Sequence, residues 1–410
     1  MTANAKPNDN LTVKKYENGK IEDFSCEFHD NYIDRAKRAA QADEWKTQGE
    51  GARFRGDAYA RLESENQIAD RSYFNSLSFD ASGEKILYSV TVDRLSAMVS
   101  KIPDHEKENE TNIIHSQSLV FRGCSPSKNG KKLCTCIKPD YVTSHLAEYD
   151  LTTNDYATLT DGDCADGHAR YSAKSDNVIL FDTKGAGRDG NGEFVRYSPS
   201  SVCRYHIDSF EIEEILSSPD RSYERPYESG NGDLYFIEKP VAEKKEYSVG
   251  RTFLDILLLP WRLLKAIYYF LETFTMLFTG KGFSRHDPNP AKNNDKNPQQ
   301  IYVEGNLVNA DREYKNNLRH KDAFAGIAPH AWVLKKKDAE GKETELCHGV
   351  IDYSVLSDGS VVYTNGKNVI VTDGKGKHEK ISSATLCTCV ASFPETGSAP
   401  APKNETSDFF

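Results

Sequence analysis

Two cysteine pairs, Cys134-Thr135-Cys136 and Cys387-Thr388-Cys389, come nearest to a chemical constellation. On a strand, residues i and i+2 point to one face, so each pair offers two thiolates to one metal. A four-cysteine zinc site would need the two strands side by side, and they fall in different β-units. Each pair therefore reads as small buried residues facing a sheet interface. The segment Asp161-Gly162-Asp163-Cys164-Ala165-Asp166-Gly167-His168 has the look of a calcium loop. It lacks regularly alternating ligands and a closing glutamate, so an acidic turn between β-units is expected. Gly185–Gly192, GAGRDGNG, could cradle an anion on its backbone N–H groups. It precedes a strand rather than a helix, which makes it a long hairpin loop. His115, His145, His168, His206, His330 and His348 have no recurrent spacing to acidic partners, and most read as turn or surface histidines.

The familiar catalytic signatures do not occur. There is no G-x-S-x-G nucleophile elbow, no G-x-x-x-x-G-K-[ST] phosphate loop and no H-E-x-x-H zinc helix. No catalytic residue, metal ligand or cofactor is assigned from the sequence.

The elements that would position any site are short strands separated by turns. From about Arg53 onward one unit recurs, a polar turn holding Gly, Asn or Asp and then an apolar strand. It runs Ser78-Phe79-Asp80-Ala81-Ser82-Gly83-Glu84-Lys85-Ile86-Leu87-Tyr88, and returns before Leu133, Val178, Leu234 and Val361. These strand starts are 47, 45, 56 and 127 residues apart. A β-repeat of about 40–50 residues is the signature of propeller blades. The long interval is one blade plus an insertion.

The turn-strand unit is followed by a second pattern, as in Leu146-Ala147-Glu148-Tyr149-Asp150-Leu151-Thr152-Thr153. Together they resemble the TolB-like, WD-repeat-like β-propellers over roughly residues 54–390. The resemblance implies an all-β ring of six or seven blades. Five are visible, and a sixth is expected to close the ring by pairing Leu386–Val390 with a strand near Phe54–Leu62. TolB relatives are typically periplasmic, whereas Met1–Lys15 has no apolar signal core.

The insertion carries Phe253–Phe278, FLDILLLPWRLLKAIYYFLETFTMLF, an apolar run in a polar chain. Gly280 and Gly282 stop the helix, and Pro260 starts or kinks it. At 100° per residue, Asp255, Arg262, Lys265 and Glu272 share an arc of about 100°. A transmembrane span would bury Arg262 and Lys265 at roughly 3 kcal/mol each and would divide one ring across a bilayer. Two readings stay open. In one, an interfacial helix presents Phe253, Leu257, Trp261, Leu264, Ile267, Phe270, Leu271, Phe274 and Phe278 to a membrane, with flanking cations at Lys244, Lys245, Arg251, Lys281 and Arg285. In the other, the same face packs on the propeller itself or on a protein partner. His286–Gln300 is a proline- and asparagine-rich flexible loop.

Composition bounds the rest. The 410 residues carry a net charge of −10, which argues against a nucleic-acid partner. Nine scattered cysteines fit reduced thiols in a cytoplasmic protein, held at most peripherally at the inner membrane face. The expected organisation is an N-terminal extension with a short helix (1–52) and a first run of blades (53–248). An inserted helical arm and loop (249–300), the last blades (301–392) and a disordered tail (393–410) complete it. Met1–Asn10 is expected to be disordered, and Asn31–Lys46 to form a helix anchored by Ile33 and Trp45. The function this implies is a non-enzymatic scaffold or adaptor that docks through the arm, between residues 251 and 285. The alternative is a hydrolase or lyase working in the central funnel.

Overall fold

Alternating turns and apolar runs fold here into four-stranded antiparallel sheets. The computed structural model describes residues 2–4, 11–17, 19–47, 72–107, 109–241, 300–303, 306–320 and 324–392. Three N-terminal strands come first, β1 (Thr2–Asn4), β2 (Thr12–Glu17) and β3 (Lys20–Ser25), followed by helix α1 (Glu27–Thr47). The first blade is β4 (Ser72–Phe79), β5 (Ile86–Val92), β6 (Leu95–Ile102) and β7 (Asn109–Ser116). The second is β8 (Val120–Pro126), β9 (Lys132–Lys138), β10 (His145–Asp150) and β11 (Asp155–Thr158). The third is β12 (Cys164–Tyr171), β13 (Val178–Arg188), β15 (Ser201–His206) and β16 (Glu211–Leu216), with β14 (Phe194–Tyr197) paired to the overhang of β13.

The fourth blade begins with β17 (Arg221–Glu228) and β18 (Leu234–Pro240). Its other strands follow after the insertion, a two-stranded ribbon of β19 (Gln300–Val303) and β20 (Asn306–Asn309), and helix α2 (Ala310–His320). They are β21 (Val333–Lys337), which pairs with β18, and β22 (Glu343–His348). The fifth blade is β23 (Asp352–Val355), β24 (Val361–Thr364), β25 (Asn368–Thr372) and β26 (His378–Ser383). Last comes β27 (Cys387–Val390).

Five blades form where six are expected from the sequence. The closing sheet is composite, with strand order β27-β1-β2-β3. Its β27 pairs with Thr2–Asn4, and Phe54–Leu62, the partner expected from the sequence, lies outside the described residues. The N-terminal segment thus contributes three strands to this sheet instead of standing apart as a helical appendage. The reason is pairing at a distance. Thr12–Glu17 and Lys20–Ser25 carry too many charges to read as strands, yet their antiparallel register matches Lys14 with Asp23, whose charges meet at 2.8 Å.

The second strand of each blade is the sheet's interior, and there both faces are apolar. In β5 every residue from Ile86 to Val92 is buried. Helix α1 packs Phe28, Tyr32, Ile33 and Ala36 against the cluster of Leu11, Val13, Phe74, Tyr88 and Cys389. Those helix positions recur at three and four residues, one face of an α-helix. Ile33 is thus an anchor, and the side chain of Trp45 is outside the described set. The chain divides into two compact units, Met1–Val241 together with Ile301–Phe410, and Ala242–Gln300.

Candidate functional site

The first strands of successive blades, β4, β8, β12 and β17, touch one another in turn and so line the centre of the ring. Each carries a bulge at the same level, between Phe74 and Ser76, Arg122 and Ser125, Gly167 and Arg170, and Glu224 and Tyr227. A bulge inserts one extra residue and re-aims its side chain. In β8 the left-handed position is taken by Gly123, at φ 115°. In β12 and β17 it is taken by His168 (φ 48°) and Arg225 (φ 57°). A side chain in that region costs about 1–3 kcal/mol and persists where its surroundings hold it.

What holds these two is a buried ionic clasp. His168 Nδ1 lies 2.6 Å from Asp182 Oδ2 on β13, and the Arg225 backbone N–H donates to the same oxygen at 2.8 Å. The Arg225 guanidinium donates to Asp352 Oδ1 on β23 at 2.7 Å. Asp352 Oδ2 accepts from the Val390 N–H of β27 at 2.9 Å, and Arg170 approaches Oδ1 at 3.5 Å. The Tyr353 hydroxyl donates to the Arg225 carbonyl at 2.7 Å. One connected set of charges therefore ties the third, fourth and fifth blades to the closing sheet. Burial alone pushes the Asp182 carboxyl up, but the His168 ring and the Arg225 N–H outweigh it and hold the group below the usual carboxylate range.

The other buried carboxylates of the inner strands are paired as well. Glu224 meets Lys239 at 2.5 Å, and Glu228 accepts from Arg204 at 2.9 Å and from Ser172 Oγ at 2.6 Å. Asp166 accepts from Thr183 Oγ1 at 2.6 Å and from Thr160 Oγ1. Beside Asp166 lie His145 and Cys164, and donor atoms of the three fall within 4.8 Å of one another. They are the one such group among the described residues. Burial first, then the Asp166 charge, pushes the Cys164 thiol up to about 12. On another part of the molecule, His320, His330 and His348 stack with ring centroids 4.3 and 4.4 Å apart.

Measured against the sequence, Cys134, Cys136, Cys387 and Cys389 are all buried, and they lie in two different sheets. Burial pushes Cys387 up to about 12 and raises Cys136 well above the ordinary thiol value. Gly185–Arg188 lies on β13 and turns back onto β14, a hairpin. Of the six histidines, His115 and His348 are exposed, while His168 meets a carboxylate, His145 a thiol and His330 the rings of His320 and His348. The partners of His168 and Arg225 are 14 and 127 residues away, which no local spacing records. The docking face Phe253, Leu257, Trp261, Leu264, Ile267, Phe270, Leu271, Phe274 and Phe278 lies outside the described residues. Among those described, no helix is long and apolar enough to cross a membrane.

No family model and no curated protein matches the sequence. Solved structures with a similar fold include TolB from Acinetobacter baumannii, at 12% identity and a TM-score of 0.44, covering 78% of this chain and 58% of that one. The tricorn protease is 12% identical with a TM-score of 0.41, over 77% of this chain and 27% of that one. The propeller domain of the Trilobed protease from Pyrococcus furiosus is 11% identical with a TM-score of 0.34, over 75% and 81%. The chain thus spans 58% of the TolB chain and 27% of the tricorn protease. It is a β-propeller, and its structural neighbours are TolB and other β-propeller proteins, enzymes among them.

Proposed function

We propose that this propeller is a non-enzymatic scaffold or adaptor, which docks to a membrane surface or a partner complex through the apolar face between residues 251 and 285. The observation that supports a binding role is the pairing of charge at the ring's centre. Asp182, Asp352, Glu224 and Glu228 each accept from a cationic side chain or a backbone N–H of the protein itself. A general base or nucleophile has to be free to exchange protons with a substrate, and these groups are committed to partners within and between the blades. Recognition then falls to the loops and to the amphipathic arm, in which four charges share one narrow arc.

The test is co-sedimentation with anionic liposomes of the full chain beside a version lacking Gly250–Gly282. Pelleting that requires the arm supports membrane docking. If neither version pellets, cross-linking in cell extract should join the full chain, and not the shortened one, to a protein. Equal behaviour of the two versions in both assays overturns the proposal. So does loss of the cooperative β-sheet melt on deletion, because the arm would then belong to the propeller core.

A further inference from the structure

The trio beside the clasp has chemistry that the clasp does not use. His145 opens β10 of the second blade, and Cys164 opens β12 of the third. Asp166 follows Cys164 by two residues, the spacing that keeps both side chains on one face of a strand. The seam between the two blades is fixed by the backbone. Ser144 and Ala165 form a parallel bridge, with Ser144 N–H donating to Cys164 O at 3.1 Å and Asp166 N–H to Ser144 O at 2.9 Å. Across this seam His145 Nδ1 stands 3.9 Å from Cys164 Sγ. The metal–sulfur and metal–nitrogen bonds of a tetrahedral zinc site put such atoms about 3.5 Å apart. A small side-chain rotation closes that difference.

We propose that His145, Cys164 and Asp166 bind one divalent cation of the zinc class, which staples the second blade to the third. Imidazole, thiolate and carboxylate are the ligand types such a cation takes, and the thiolate excludes magnesium and calcium as the preferred ion. The charges close: one thiolate and one carboxylate neutralise a divalent ion, so no net charge is buried. On binding, Cys164 gives its proton to solvent and its sulfur bonds the metal, with no change of oxidation state. Asp166 is already oriented for this. Thr183 Oγ1 donates to Oδ1 at 2.6 Å and Thr160 Oγ1 donates to Oδ2, the hydroxyl support that ligating carboxylates have. The Asp161 carbonyl, 3.5 Å from Cys164 Sγ, is placed to serve as the fourth donor. His145 and Cys164 are half-buried, which leaves the ion a route in from the Asp161–Asp163 turn. The metal site and the docking arm share no residue, so either can fail alone.

Titration of the reduced full-length protein with Co²⁺ reads the site directly. Saturation at one equivalent is expected, with near-ultraviolet sulfur-to-cobalt charge transfer and visible bands of tetrahedral intensity; Zn²⁺ should displace both. Cys164→Ser should abolish the charge-transfer band, and His145→Gln should weaken Co²⁺ binding at least about tenfold. Cys203→Ser, at a buried thiol outside the trio, should leave both unchanged. Circular dichroism establishes that each variant is folded. If Cys164→Ser does not fold, the half-buried His145→Gln carries the comparison. The proposal is overturned if folded wild type takes up no cobalt saturably, if charge transfer survives Cys164→Ser, or if His145→Gln binds as the wild type does.

Discussion

The strained positions His168 and Arg225 mark where single residues decide the ring's interior. Each sits in left-handed backbone that costs about 1–3 kcal/mol, and each recovers that cost through one carboxylate. Asp182 is the informative one to remove, because its native carboxyl is held below the ordinary value near 3.9. With the folded pKa depressed, the unfolded chain takes up the proton first as pH falls. The contribution is therefore complete above about pH 4 and is lost as pH drops through the lower native value. Asp182→Ala should cost about 3 kcal/mol at pH 7, since it leaves the His168 ring and the Arg225 N–H without their shared acceptor. Urea midpoints at pH 7 and pH 3 should show the gap to wild type narrowing in acid; a constant gap would locate the effect elsewhere. Little of this clasp is legible in the sequence. The alternation Cys164, Asp166, His168 along one strand is there to be read, but His168 has no acidic partner at a local spacing. Its acid is across a hairpin, and strand register is not written in local spacing.

At the scale of elements, the turn-strand unit is legible because a central strand advertises itself. Ile86, Leu133, Leu234 and Val361 are buried where β5, β9, β18 and β24 begin, and apolar residues continue along each strand. The N-terminal strands carry no such signal, which is why β2 and β3 escape a reading of the sequence, whereas α1 is read over Asn31–Lys46, short of its first turn and last residue. The docking of α1 depends on a long-range contact of the same hidden kind. Glu110 on β7 accepts the Glu27 and Phe28 N–H groups at 3.0 and 2.6 Å, so a strand of the first blade caps the helix N-terminus. The same carboxylate sits 3.3 Å from the ammonium of Lys101, a fully buried cation. Glu110→Ala should destabilise the protein by about 3 kcal/mol, since it removes a cap and half of a buried pair together. Amide exchange over Glu27–Ala36 should accelerate with it. Glu110→Gln, which keeps an acceptor for the cap, should speed that exchange less. If exchange in the helix stays at the wild-type rate, α1 is held by its apolar face alone.

For the whole molecule, the decisive fact is that β27 belongs to both ends of the chain. It pairs with Thr2–Asn4 in the closing sheet, while its Cys387 N–H donates to Gly366 O at 2.8 Å and its Val390 N–H to Asp352 at 2.9 Å. Cys389 packs with Phe74 and Tyr88 of the first blade, so one short strand touches the last blade, the first blade and the N-terminus. A repeat array held only by nearest neighbours would lose one interface if its end were trimmed, and the rest would melt as before. A closed ring behaves differently, because removing the closing strand frees two edges and leaves Asp352 without its backbone donor. Deleting residues 386–410 should therefore broaden the thermal transition and lower its midpoint throughout the ring, including the second and third blades, which lie away from β27. A peptide spanning Ala384–Ser392 added in trans should restore the wild-type transition in proportion to its occupancy. Should the truncated chain keep one sharp transition at the wild-type midpoint, with the peptide without effect, closure through the termini would contribute nothing to stability. The blades would then cohere through their neighbouring interfaces alone.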